Sequence, residues 1–232
     1  MSAEATDDGE NRRYLIAYAL PFAIFMVMTA VESTSIVLYP FVYVVKIALV
    51  CAALAVGRKL WPKFERKGLP LGVVVGAVGL PVWVFLSKID LSAHLPASIS
   101  DWLIGKRSGG VGLFDMQPPA FMYVMFAIRL FGLAVVVPVM EELFWRGFLM
   151  RFLIAEPFQK VAIGTYTRGS FVIVTVLFTL VHPEILAALV WGAAINLLLY
   201  RTKNLWACVA MHATTNALLG VYILKTGAWE LW

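Results

Sequence analysis

Glu141 and Glu142 stand side by side at the end of an apolar run, Phe131 to Met140, and Arg146 follows Glu142 by four residues. A charge at the centre of a bilayer costs roughly 2.5–3.5 kcal/mol on insertion scales, so three ionisable groups beside such a run need a reason to be there. On a helix, Glu142 and Arg146 share a face at a spacing that suits an ion pair. Glu141 points about 100° away from its neighbour. That geometry divides the labour: one carboxylate is held ionised by Arg146, and the other is left for acid–base work. Apolar surroundings make a carboxylate a better proton acceptor, which suits a general base acting on water. The plainer explanation is a structural Glu–Arg pair that locks helices together.

Two later apolar segments carry side-chain pairs at the same spacing of four, Phe178/His182 in FTLVH and His212/Asn216 in HATTN. His182 precedes Pro183, which interrupts the backbone hydrogen-bond ladder at the end of its segment. Phe178 by itself reads as packing. His212 and Asn216 lie one helical turn apart and can donate towards one point, as an oxyanion pocket requires. Helix–helix hydrogen bonding explains Asn216 equally well. Thr214 and Thr215 are left out of the site, because hydroxyls in membrane helices commonly bond their own backbone. Lys46 and Arg129 are buried charges with no nameable partner, and Trp191 and Asn196 are ambiguous, so none receives a role. His94 reads as a solvated loop side chain.

The elements that must position these residues follow from composition. The chain has 232 residues, 61% hydrophobic and 14% charged, with a mean hydropathy of +0.84. Average soluble domains carry about 25% charged residues, and several segments here approach the roughly 20 apolar residues that cross a bilayer. The expected fold is all-α: a polytopic integral membrane protein of seven or eight transmembrane helices around a polar intramembrane cavity. The seven segments run from about Tyr14 to Val31, Ile36 to Val56, Leu69 to Leu86, Pro119 to beyond Glu142, Phe171 to Val181, Ile185 to Tyr200 and Leu205 to Leu224. The fourth is too long for one simple crossing, and if it crosses twice the count becomes eight. Residues 1–11 are expected to form a disordered tail and 12–232 a single transmembrane domain. Between Ser87 and Pro118 the apolar spacing suggests an interfacial amphipathic helix broken by Pro96.

The net charge of +5 is distributed between the apolar segments, with no basic patch interleaved with aromatics, which argues against nucleic acid. With the N-terminus in the cytoplasm, twelve basic residues fall on the cytoplasmic side and four on the other, as the positive-inside bias requires. The acidic start does not resemble a secretory signal, so the first segment is expected to remain as an anchor. Cys51 and Cys208 sit in separate apolar segments and read as buried small side chains rather than a disulfide or metal pair.

Glu141-Glu142-xxx-Arg146, Phe178-xxx-His182 and His212-xxx-Asn216, in that order on separate spans, resemble the CPBP family of intramembrane proteases, which includes the CAAX prenyl endopeptidases and the bacterial Abi proteins. The resemblance covers residues 119–224. The stretches VVPVMEELFWRGFLMRF and HATTNALLGVYILKTGAW are also similar to the CAAX-protease-related subgroup found alongside bacterial exosortase systems. The resemblance implies an endopeptidase cleaving a membrane-anchored protein or peptide, in a bacterial inner (plasma) membrane. It further implies that Glu141 with His182 activates the attacking water, that His212 and Asn216 stabilise the oxyanion, and that Glu142 and Arg146 position the site. It favours a glutamate-dependent chemistry without metal or other cofactor. Two carboxylates and two histidines leave a zinc-dependent version open, although H-E-x-x-H is missing. A non-catalytic membrane scaffold is the rival of another class. A carrier or proton relay is a third reading, disfavoured because no inverted repeat is visible.

Overall fold

The computed structural model describes residues 3–32, 38–89 and 119–231, and every regular element among them is helical. Three helices come first: α1 (Ala3–Glu32), α2 (Tyr39–Gly57) and α3 (Leu69–Ser87). The fourth, α4, is a continuous rod in five pieces. These are an α-helix Pro119–Phe131, a π-helical turn Gly132–Val136, an α-helix Val137–Glu142, a second π turn Leu143–Leu149 and a last turn Met150–Phe152. Then follow α5 (Arg168–Leu180), α6 (Ile185–Thr202) and α7 (Leu205–Thr226).

All seven expected segments are helices, but the expected count of seven or eight crossings is corrected to six. Six helices among the described residues are long and apolar enough to span a bilayer. The exception is α5, whose 13 residues reach only about 20 Å at 1.5 Å per residue, against a hydrocarbon core of about 30 Å. The eighth crossing fails for a different reason. The rod over Ala120–Phe152 does not turn back on itself, and its 33 residues form one helix. Helix α1 begins at Ala3, within the stretch expected as a tail. Extending a helix already nucleated by an apolar segment costs little per residue. The interfacial helix expected between Ser87 and Pro118, and His94 with it, falls almost wholly outside the described residues.

The loops gather at two ends. At one end the Tyr18 hydroxyl donates to the Leu60 carbonyl at 3.1 Å, and the Asn204 amide donates to the carbonyls of Glu65 and Lys67. The Lys203 ammonium donates to the Gly164 carbonyl at the same end. The basic loops therefore share one face of the bundle, which is the arrangement the charge count demands. Glu32, Lys46, Arg129 and Trp229 mark the opposite end, where Trp229 packs against Phe126.

The tightest helix pair is α3 against α7. A Cβ on Gly72 would stand 2.3 Å from the Ala207 carbonyl oxygen, and one on Gly76 would stand 2.4 Å from that of Met211. Two glycines four residues apart let the backbones approach directly, the small-residue packing by which membrane helices associate without a hydrophobic driving force. The Thr215 hydroxyl uses this closeness to reach the Gly76 carbonyl at 2.9 Å. The register of α7, and so the position of His212, is set by these two glycines.

Candidate active site

The site begins with a proline. Pro138 has no N–H, and inside a helix its ring crowds the preceding turn. The rod answers with the π turn over Gly132–Val136, in which the Val137 N–H bonds to the Gly132 carbonyl. In that register the next donor, to the carbonyl of Leu133, would be residue 138, which cannot donate. The Asn216 side-chain amide fills the position from α7, donating to the Leu133 oxygen at 2.9 Å. Glu141 and Glu142 then end the short α segment between the two π turns. Such turns are rare and occur frequently at functional sites.

Behind this segment lies a buried polar cluster, in which Glu142 Oε2 has no hydrogen-bond partner among the described residues. Glu142 and Arg146 are fully buried. Arg146 donates to Glu142 Oε1 at 3.2 Å, to Asn196 Oδ1 at 2.8 Å and to the Gly192 carbonyl at 3.4 Å. Its guanidinium lies 4.8 Å from the centre of the Phe178 ring. Asn196 in turn donates to the Thr175 hydroxyl at 3.0 Å. His212 Nδ1 stands 2.9 Å from the same Glu142 oxygen. An ionised carboxylate only accepts, so against it Nδ1 carries the hydrogen and Nε2 is the nitrogen left for other chemistry.

In front of the segment is a cavity of about 390 Å³, walled in part by Glu141, His182, His212 and Asn216. Glu142 and Arg146 are not among its lining residues. Glu141 is buried, and its Oε2 has no hydrogen-bond partner among the described residues. His182 sits on the turn after α5, its Nδ1 2.7 Å from the Phe178 carbonyl. A carbonyl can only accept, so this contact likewise assigns the hydrogen to Nδ1. The His182 ring packs on Phe178 at 4.3 Å and edge-on to Trp83 at 6.0 Å between centroids. Trp191 stacks on Phe178, meets the His212 ring at 4.7 Å and donates to the Thr215 hydroxyl.

All six sequence-identified residues therefore belong to one region, split by the wall of the cavity. Glu141, His182, His212 and Asn216 face the space, while Glu142 and Arg146 stand behind it and reach it through His212. Sequence reading gave no role to Asn196, which completes the Arg146 shell, or to Trp191, which holds both histidine-bearing elements in contact. The available signal was their place on one apolar helix, five residues apart. Lys46 and Arg129 also line the cavity. Among the described residues no three His, Cys, Asp or Glu side chains stand close enough together to hold a metal ion.

No curated protein and no solved structure matches the chain. Residues 123–218 match the family model described as Type II CAAX prenyl endopeptidase Rce1-like. The match spans all six residues above. Over this stretch the chain is similar to the Rce1-like CAAX endopeptidases.

Proposed function

We propose that this multi-pass membrane protein is an intramembrane endopeptidase that hydrolyses a peptide bond of a membrane-anchored protein or peptide. The observation that carries the reading is Glu141, whose Oε2 is a buried acceptor without a partner among the described residues and which lines the same cavity as two histidines and an amide. A buried acceptor without a donor costs free energy unless something fills the position. A water molecule in the cavity fills it and is at the same time the nucleophile.

Glu141, with His182, orients this water and takes a proton as its oxygen bonds to the peptide carbonyl carbon. The electron pair of the carbonyl moves onto its oxygen, where His212 and Asn216 donate hydrogen bonds. His212 has one ring nitrogen committed to Glu142, so it donates to the oxyanion only with hydrogen on both nitrogens. Collapse of the intermediate breaks the C–N bond, and the proton held by Glu141 passes to the leaving amine. Glu142 and Arg146 hold His212 and the two π turns in place. The chemistry uses no metal. The basic-loop end faces the cytoplasm of a bacterial cell with the chain in its inner membrane, as the distribution of Lys and Arg favours.

Glu141→Gln keeps the shape and removes the base. In liposomes, with a lipid-anchored fluorogenic peptide as probe, hydrolysis falls by about 10²–10⁴-fold, the usual range for acid–base catalysis. Hydrolysis at the unsubstituted rate in that variant overturns the reading.

A further inference from the structure

The connection between α2 and α3 carries five cations, Arg58, Lys59, Lys63, Arg66 and Lys67, against one carboxylate, Glu65. All six side chains are exposed. Among the described residues no carboxylate pairs with any of the five cations, Glu65 included. The excess of positive charge therefore faces outward uncompensated. Trp61 and Phe64 interleave with these cations, which corrects the expectation of no basic patch with aromatics. None of these residues lines the cavity of Glu141.

The loop is clamped rather than loose. The Trp206 indole N–H donates to the carbonyls of Pro62 and Lys63 at 3.2 and 3.1 Å. The Asn204 amide holds those of Glu65 and Lys67 at 2.9 and 2.7 Å, and Tyr18 holds that of Leu60. Gly68 closes the loop with a φ of +83°, and a Cβ there would stand 2.8 Å from the Thr202 methyl. Trp206 packs on Phe64 at 5.7 Å and on Trp61 at 6.2 Å between ring centroids. A backbone fixed in advance lowers the ordering cost of binding a ligand.

Position decides the partner. The cations sit where one apolar span, Tyr39–Leu60, ends and the next, Leu69–Ser87, begins. Trp61, Phe64 and Trp206 stand at the same level, where aromatic residues meet lipid headgroups. Cations clustered directly beside a membrane helix attract anionic lipid, with about a fivefold gain in affinity per Lys or Arg.

We propose that the loop over residues 58–67 is a docking surface for the phosphate of an anionic phospholipid, shaped in advance by Asn204 and Trp206. Arg58 and Arg66 supply paired N–H groups for phosphate oxygens, and the three lysines add compact point charges. The clamp is made by the cap and first turn of α7, so a bound headgroup also secures the helix that carries His212.

The test uses the full chain in non-ionic detergent, with phosphatidylglycerol or phosphatidylcholine of equal acyl length added. The readouts are the thermal midpoint and the amount of lipid retained. Phosphatidylglycerol raises the midpoint and binds at least about tenfold tighter. Sodium chloride at 1 M, where the Debye length is about 3 Å, abolishes the difference. Lys63→Gln and Arg66→Gln each weaken phosphatidylglycerol binding by about fivefold. Arg168→Gln, at an equally exposed cation that starts α5, leaves it unchanged. Removing loop cations can also disturb insertion, so Trp206→Phe repeats the test with every charge kept. It loses the donation to Pro62 and Lys63, and phosphatidylglycerol binding weakens severalfold. Equal response to the two lipids overturns the proposal, as does unchanged binding in Trp206→Phe. An effect of Arg168→Gln as large as that of Lys63→Gln marks a general attraction of charge and overturns it too. A midpoint raised equally by inorganic phosphate assigns the surface to a free anion, and tighter binding of a single-stranded oligonucleotide assigns it to nucleic acid. Either result overturns the proposal. Neither readout depends on hydrolysis at Glu141.

Discussion

Two charged clusters stand at one cavity, one behind its wall and one along it, and they differ in what they face. Around Arg146, a carboxylate, an amide oxygen, a backbone carbonyl and an aromatic face surround a guanidinium with no exposure, and neither Arg146 nor Glu142 lines the cavity. Around Lys46 and Arg129, two cations and one carboxylate line the space itself. The first arrangement is what a bilayer interior tolerates as structure, since breaking a buried pair costs far more than the intact pair contributes. The second sets its charged groups along the wall of the cavity. Glu141 and Glu142 each keep one buried oxygen without a hydrogen-bond partner among the described residues, but only Glu141 lines the cavity.

The largest effect that would break this comparison is Arg146→Met. It leaves Glu142 buried against His212 alone, and the expected loss is about 3–5 kcal/mol of stability, read as a lower thermal midpoint in detergent. Arg146→Met combined with Glu142→Gln removes the stranded charge and recovers much of that loss. If the single variant melts like the unsubstituted protein, the Arg146 cluster is not the structural one.

Gly76→Ala is the next largest. The added methyl meets the Met211 carbonyl at 2.4 Å, so α7 must shift and take His212 with it. Overpacking of this kind costs about 1–3 kcal/mol, and hydrolysis falls with it. Gly169, near the start of α5, has nothing within 4 Å of its would-be Cβ. Gly169→Ala is therefore expected to leave stability equal or raise it by at most about 1 kcal/mol. Equal melting of the two variants would separate the α3–α7 contact from the integrity of the site.

Legibility in the sequence follows the same division. Helices α3, α6 and α7 start at the residues expected, because Pro70 sits in the first turn of α3 and Asn204 caps α7 by accepting from the Trp206 N–H. The Glu142–Arg146 pair is local, a single turn of helix, and was visible from spacing alone. The Glu142–His212 contact joins residues seventy apart, and no periodicity encodes it. Lys46 and Glu32 are on different helices, so their pairing was equally hidden. The π turns leave the apolar pattern of α4 unbroken, and Pro138 was the one mark of them. Gly72 and Gly76 were readable as a small-residue pair and went unread. The short reach of α5 was visible in the 11 residues of its apolar segment, yet hydropathy registers composition more strongly than length.

Asn216 sharpens the comparison most finely, because it belongs to both regions: it lines the cavity and holds the Leu133 carbonyl. Asn216→Ala removes one interhelical hydrogen bond, worth about 0.6 kcal/mol on average and at most about 1.7, the smallest stability change of the series. If its amide also serves the oxyanion, kcat falls by about 10²–10³-fold, far beyond what so small a loss of stability accounts for. Pro138→Ala separates the two duties. It returns an N–H at the position that the Leu133 carbonyl lacks, so the double variant Pro138→Ala/Asn216→Ala regains stability while hydrolysis stays low. Recovery of both would make Asn216 a structural plug for a proline-broken turn, and the oxyanion would then rest on His212 alone.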